Sequence, residues 1–228
     1  MAGLGAGAVR YTIQRFVLIL IFAILLFGGA GRWDWVRGWA YLACVFLGEA
    51  LTLALLAWRS PETLNQRGTA HAQMASFDRL FAALWVLLAL ATPIVSGCYV
   101  RRGAELLPWP FFWAGLIGLI AAIIFGAWSM LENEHFEQFV RIQDDRNHRV
   151  VDTGPYWLVR HPGYLAAIFG ALVTPMMLGT TSTFVPASLM IALFVWRTAQ
   201  EDRSLQLTLP GYREFALRTK SRLIPGIW

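Results

Sequence analysis

Two polar stretches in this sequence carry residues equipped for chemistry: GPYWLVRHPGY at 154–164, and Arg197, Glu201 and Asp202 a little further on. Asp152, Thr153, Gly154 and Pro155 form a turn sequence, since Gly permits unusual backbone angles and Pro fixes its own. His161 and Pro162 then lead into an apolar run, with Pro tolerated in a first helical turn. A helix start there offers backbone N–H groups to a carboxylate, phosphate or hydroxyl oxygen. Tyr156, Trp157 and Tyr164 offer aromatic faces to a purine or a cation. Arg197 and Glu201 are four residues apart and share one helix face. Spacing alone leaves two readings of that pair open: an ion pair at a membrane boundary, or a grip on a zwitterionic ligand.

The elements that must position these residues are hydrophobic. Of 228 residues, 57% are hydrophobic and 14% charged, against about 25% charged in soluble domains, so the balance is that of a bilayer protein. A hydrocarbon core of about 30 Å takes roughly 20 apolar residues per helix. Runs of this kind occupy 16–30, 39–58, 80–100, 109–131 and 164–181, and a shorter sixth run occupies 184–196. The sixth is expected to be re-entrant, interior, or lengthened by the polar helix after it. Only small residues separate the last two runs, which predicts a tight helical hairpin. The fold class expected is all-α, a polytopic transmembrane bundle of about six apolar segments. A single membrane domain, 1–228, is expected, with spans over 1–131 and a cofactor-binding catalytic region over 132–228.

Six crossings with the N-terminus inside place 15 of the 19 cations on the inner side, against Arg32, Arg37, Arg101 and Arg102 outside. That bias predicts both termini and both polar clusters in the cytoplasm. The formal charge of +5 therefore reads as topology and attraction to anionic lipid, not nucleic-acid binding. Arg10, Arg15 and the glycines after the first run raise a signal peptide, but five further runs favour an uncleaved anchor. Glu49, in mid-run, must face the interior, be protonated or find a partner. Cys44 and Cys98 read as packing residues. Gly3, Gly5 and Gly7 follow no strand and read as a flexible terminus, not a dinucleotide loop. His71 reads as surface and His135 as a helix-end residue; His148 and His161 flank the informative segment. No HExxH pattern is present, and no metal site is expected.

The chain resembles the integral-membrane methyltransferases grouped with isoprenylcysteine carboxyl methyltransferase, among them phospholipid N-methyltransferases and small-thiol methyltransferases. Gly154-Pro155-Tyr156, Arg160-His161-Pro162-Gly163-Tyr164 and Arg197-Thr-Ala-Gln-Glu201-Asp202 carry the likeness, continued by Leu205, Tyr212, Phe215 and Arg222-Leu223-Ile224-Pro225. It covers about residue 141 to the end. The resemblance implies S-adenosylmethionine bound between the RHPGY segment and the polar exit of the hairpin. His161, Pro162 and Tyr164 would then line the cofactor pocket with Tyr156 nearby. Arg197, Glu201 and Asp202 would contact polar groups of cofactor or substrate, and Arg160 would steer an anionic substrate. Arg197, Glu201 and Arg160 are the expected catalytic residues. Many relatives carry two consecutive glutamates where this chain has Glu201 and Asp202, so the second carboxylate is one methylene shorter here.

The activity expected is methyl transfer to a lipophilic or small acceptor, with carboxylate O-methylation favoured by the resemblance. Phospholipid N-methylation and small-thiol S-methylation are alternatives. A non-catalytic transporter or scaffold is the reading from another class, and it would be favoured by paired charges at membrane mid-depth. Arg outnumbers Lys 18 to one, which suggests a GC-rich genome and a bacterial inner membrane.

Overall fold

The computed structural model describes residues 3–68, 76–134 and 149–228. His71, read as surface, His135, read as a helix-end residue, and His148, which precedes the informative segment, lie outside the described residues. The described residues form eight α-helices in order: α1 (Ala6–Ala30), α2 (Val36–Arg59), α3 (Pro61–Arg67), α4 (Ser76–Arg101), α5 (Trp109–Glu132), α6 (Pro162–Leu178), α7 (Phe184–Thr208) and α8 (Tyr212–Arg218). Among the described residues there is no strand. Five of these described helices are long and apolar enough to cross a membrane, and α6 is a shorter apolar helix. The all-helical polytopic bundle is the architecture the hydropathy predicts.

The last two spans exchange the lengths expected of them. α6 starts at Pro162 and stops after 17 residues, where Gly179 takes a left-handed conformation, φ 77°. That is about 26 Å of helix, a little under the hydrocarbon core. α7 does not end with its apolar run; the polar residues after Trp196 continue it to 25 residues. Between them lies one 3-10 turn, Thr181–Thr183. A turn this tight fixes the register of the two arms. Tyr164 is 17 residues before Thr181 and Glu201 is 18 after Thr183, so the hairpin itself brings the two polar motifs level.

Small residues set how closely the helices approach. A Cβ on Gly115 of α5 would lie 2.6 Å from the Met177 nitrogen, and one on Gly118 would lie 2.7 Å from Val173 Cγ1. α5 and α6 therefore pack nearly backbone to backbone, as small residues allow in membranes. α1 and α4 meet in the same way near their far ends, where a Cβ on Gly97 would lie 2.4 Å from the Leu26 carbonyl oxygen. Buried Leu26, Phe27, Tyr41, Leu42, Phe112, Leu119, Val173 and Met177 form the central core.

Glu49 finds a partner in Arg15. The guanidinium meets the carboxylate with two N–H groups, at 2.8 and 2.9 Å, and joins α1 to α2 about 13 Å along from the start of α1. The start of α1 is capped from a distance: Asn65 Oδ1, on α3, accepts from the Gly5 and Ala8 nitrogens. Gly5 and Asn65 thus share one end of the bundle with the C-terminus of α5, because Ala8, Leu56 and Leu64 pack with Met130 and Leu131.

Candidate active site

At that same end, two carboxylates that are neighbours in sequence face different surroundings. Asp202 is fully buried. Arg160 meets it with Nε at 2.7 Å and Nη2 at 3.2 Å. Arg222 Nε at 2.8 Å, Gln206 Nε2 at 2.8 Å and the Tyr212 hydroxyl at 3.1 Å also donate to it, and His161 Nε2 lies 3.4 Å away. Burying a carboxylate is costly unless it is paired and its lone pairs are satisfied, and these donors meet that requirement.

Arg160 is equally engaged. Its Nη1 donates to the Thr219 and Lys220 carbonyls at 2.8 and 2.7 Å. The chain beside it pairs with the same tail: the Arg160 and His161 nitrogens donate to the carbonyls of Ser221 and Arg222, each at 3.0 Å. Residues 160–161, α7, α8 and the tail at 219–222 are thereby tied into one knot around Asp202. Both Arg160 and Asp202, expected to meet substrate or cofactor, turn their polar atoms onto the protein itself.

Glu201, one residue earlier, points the other way and keeps 20% of its side chain exposed. The Tyr164 hydroxyl donates to its Oε2. Arg197 Nε and His161 Nδ1 each stand 4.0 Å from it. The aromatic groups form a layered stack here. The His161 ring lies parallel to Tyr164, with centroids 5.7 Å apart. The Arg197 guanidinium lies 5.3 Å from the Tyr164 centroid and 4.1 Å from that of Phe81. Pro162 is the first residue of α6 and is buried, so it fixes the direction in which Tyr164 leaves the turn.

Tyr156 closes one flank from the 3-10 turn Gly154–Trp157. It accepts from Asn133 Nδ2 at 3.2 Å and donates to the Ser129 carbonyl at 3.3 Å. Burial holds its phenol well above the ordinary tyrosine value, so it stays a neutral donor. Gly154 has φ 55°, and a Cβ there would meet the Glu132 carboxylate carbon at 2.7 Å; both favour glycine at this turn.

Sequence reasoning missed Asp78 and Phe81. Asp78, in the first turn of α4 and fully buried, meets Arg197 Nη2 at 3.1 Å. An acid at the mouth of an apolar run was the available signal. Tyr212, a member of the sequence pattern with no assigned role, bridges Asp202 and, at 3.3 Å, His161 Nε2. The site therefore draws on α4 as well as on the region after residue 131. Among the described residues, no group of three or more His, Cys, Asp or Glu is placed to hold a metal ion.

Such an arrangement suits a ligand carrying both charges and a flat ring. Glu201 offers a partly open carboxylate to a positive group, beside the Tyr164 hydroxyl and the His161 ring. Charge is nearly balanced around it by Arg197 with Asp78, and by Arg160 and Arg222 with Asp202.

Residues 113–207 match the model of the isoprenylcysteine carboxyl methyltransferase (ICMT) family. The matched stretch contains most of α5, all of α6 and nearly all of α7, and so includes both polar motifs. It bears out the resemblance carried by the RHPGY segment and residues 197–202. The cobalt-zinc-cadmium resistance protein CzcN of Cupriavidus metallidurans is 32% identical over 108 residues, which are 46% of this chain and 45% of that protein. The match spans less than half the length of that curated relative. With five helices able to cross a bilayer, these findings describe an integral membrane protein and suggest a membrane methyltransferase.

Proposed function

We propose that this chain is an S-adenosylmethionine-dependent methyltransferase acting on a lipophilic or small acceptor, with carboxylate O-methylation the favoured reaction. One observation carries the reading: Glu201 stays partly open beside Tyr164, His161 and Arg197 while every neighbouring charge is paired within the protein. The residues fit the group. S-adenosylmethionine brings, when bound, an electrophilic methyl on a cationic sulfur, together with an amino acid end and an adenine. Glu201 would hold a positive group, and its direction is fixed by the Tyr164 hydroxyl. Tyr164, His161 and Tyr156 would offer ring faces. Arg197, held between Phe81 and Tyr164 by Asp78, would present positive charge to an anionic end.

Methyl transfer is an in-line displacement, so holding acceptor and methyl carbon in line supplies much of the acceleration. A carboxylate acceptor is ionised at neutral pH and needs no base. For an amine or thiol, a proton must leave, and Glu201 and His161 are the groups in reach. Arg160 and Asp202 act as positioning residues in this reading, since they hold the turn from which His161 and Tyr164 project. The positive-inside bias supports placing the site and both termini in the cytoplasm, with a bacterial inner membrane as the setting.

One observation favours a second reading. The Arg15–Glu49 pair lies inside the span, where paired charges mark transport pathways. Calorimetry separates the two. Detergent-purified wild type should bind S-adenosylmethionine saturably, and His161→Ala and Glu201→Ala should each weaken binding by about tenfold or more. No binding by folded wild type, with lipid restored, would sink the methyltransferase reading and put transport first.

A further inference from the structure

The end of the molecule that holds the Asp202 knot also presents apolar side chains outward. Trp157 is 68% exposed, Leu217 76%, Ile227 78% and Ile224 48%. They belong to segments that are tied together. The Thr219 hydroxyl donates to the Trp157 carbonyl at 3.4 Å, and the Arg160 and His161 nitrogens reach the carbonyls of Ser221 and Arg222. Past Arg222 the tail folds back on itself. The Leu223 and Ile224 nitrogens donate to a main-chain oxygen of Trp228, and the Ile227 nitrogen donates to the Ile224 carbonyl. The short helix α8 turns Tyr212 and Phe215 inward, to Tyr156 and Leu209. Leu217, two residues past Phe215, leaves about 200° round the helix, and it shares its face with Arg213, four residues earlier.

Charge and position say what covers these side chains. Residues 203–228 hold five cations, Arg203, Arg213, Arg218, Lys220 and Arg222, against one acid, Glu214. Arg218 is met by Asp152 at 2.6 Å and Arg222 by Asp202 at 2.8 Å, while Arg203, Arg213 and Lys220 stay exposed. The excess is positive and calls for an anionic partner. The same surface lies where the spans leave the hydrocarbon. Trp157 comes five residues before the start of α6, and Trp58, near the end of α2 at this end of the bundle, is also exposed. Indole rings favour that boundary, and apolar tips interspersed with cations suit a membrane surface better than open water.

We propose that Trp157 and the segment 213–228 form a surface that docks on anionic phospholipid in the leaflet at this end, the inner one by the positive-inside bias. Trp157, Leu217, Ile224 and Ile227 enter the boundary between head groups and acyl chains, and Arg213 and Lys220 meet phosphate. The docked segment is the one whose carbonyls at 219–222 receive Arg160 and the backbone of His161. Lipid that holds this segment therefore holds the Asp202 knot closed, and the charge of the membrane becomes a control on the site. The docking follows from the fold and stands whether or not the chain transfers methyl groups.

The test places the whole protein in nanodiscs of phosphatidylcholine, alone or with about one third phosphatidylglycerol. A trace of either lipid carries a diazirine near the top of one acyl chain. Peptides from 213–228 should be labelled about fivefold more by the phosphatidylglycerol probe than by the phosphatidylcholine probe, and salt at about 1 M should remove the difference. Lys220→Glu should lower phosphatidylglycerol labelling by about fivefold. Ile227→Ser, which changes an exposed side chain, should lower labelling by both probes. In the same discs, hydrogen exchange at the Arg160 and His161 amides should be about tenfold slower with phosphatidylglycerol present, since the tail receives those N–H groups. Equal labelling by the two probes overturns the docking on anionic lipid. Absent labelling of 213–228 also overturns it, and crosslinks between copies, or to a soluble protein, would then name another occupant. Labelling without slower exchange overturns the control of the knot by lipid.

Discussion

Glu201 and Asp202 are joined by one peptide bond and belong to different regions of the molecule. The Asp202 region is closed: a buried carboxylate, two arginines, an amide, a phenol and the backbone of the tail satisfy one another. The Glu201 region is open, with one hydroxyl donor at hydrogen-bond distance and a guanidinium and an imidazole each at 4.0 Å. A helix turns by about 100° per residue, so consecutive side chains leave toward different faces. The difference teaches that a charged pair of residues at a site need not share a task. One acid can build the frame in which the other is left available.

That contrast is best broken at Asp202. Replacing it with Ala strands Arg160 beneath the surface, and loss of one partner of a buried pair costs about 3–5 kcal/mol. Chemical denaturation in detergent should show a loss of this size, whether or not ligand is present. Asp202→Glu adds a methylene to a carboxylate that is fully buried. It should destabilise by about 1–3 kcal/mol in the same measurement. An unchanged stability would mean that the knot adapts and is less closed than its geometry indicates.

Glu201→Gln sharpens the contrast from the other side. It removes charge from a partly solvated group, so stability should change by less than about 1 kcal/mol. S-adenosylmethionine binding should weaken by about tenfold, read by calorimetry. Tyr212→Phe should show the smallest effect, about 1 kcal/mol at neutral pH for one hydrogen bond lost among several. Burial first, then the charges of Asp202 and Glu201, hold the Tyr212 phenol above its ordinary value of 10.0. The folded state therefore keeps a proton that the unfolded chain releases, and stability must fall as pH rises above 10.0. The phenylalanine variant should lose less stability over that alkaline interval in thermal melts.

Part of this was legible in the sequence for a physical reason. In a chain so poor in charge, Arg160, His161, Arg197, Glu201 and Asp202 stand out, and a short turn between two apolar runs fixes that they meet. Hydropathy likewise gives the spans, though not their ends, because α7 stays helical past its apolar part and Gly179 stops α6 early. What was not legible depends on distant pairing. Arg15 answers Glu49 from 34 residues away, and Asp78 reaches Arg197 across more than a hundred. Nothing local to either acid announces its partner. The division of labour between Glu201 and Asp202 was hidden for the same reason, since it is decided by α8 and the tail.

The tail has a consequence for how the protein is made. Arg160 and Lys220 are 60 residues apart, which ribosomes cover in roughly three to twelve seconds at about 5–20 residues per second. Throughout that interval the RHPGY segment is already synthesised while the carbonyls that receive Arg160 do not yet exist. A nascent chain can therefore insert its helices before the Asp202 knot can close. The knot can close only after residues 219–222 have been made, and a message truncated before them would yield an inserted bundle without a completed centre.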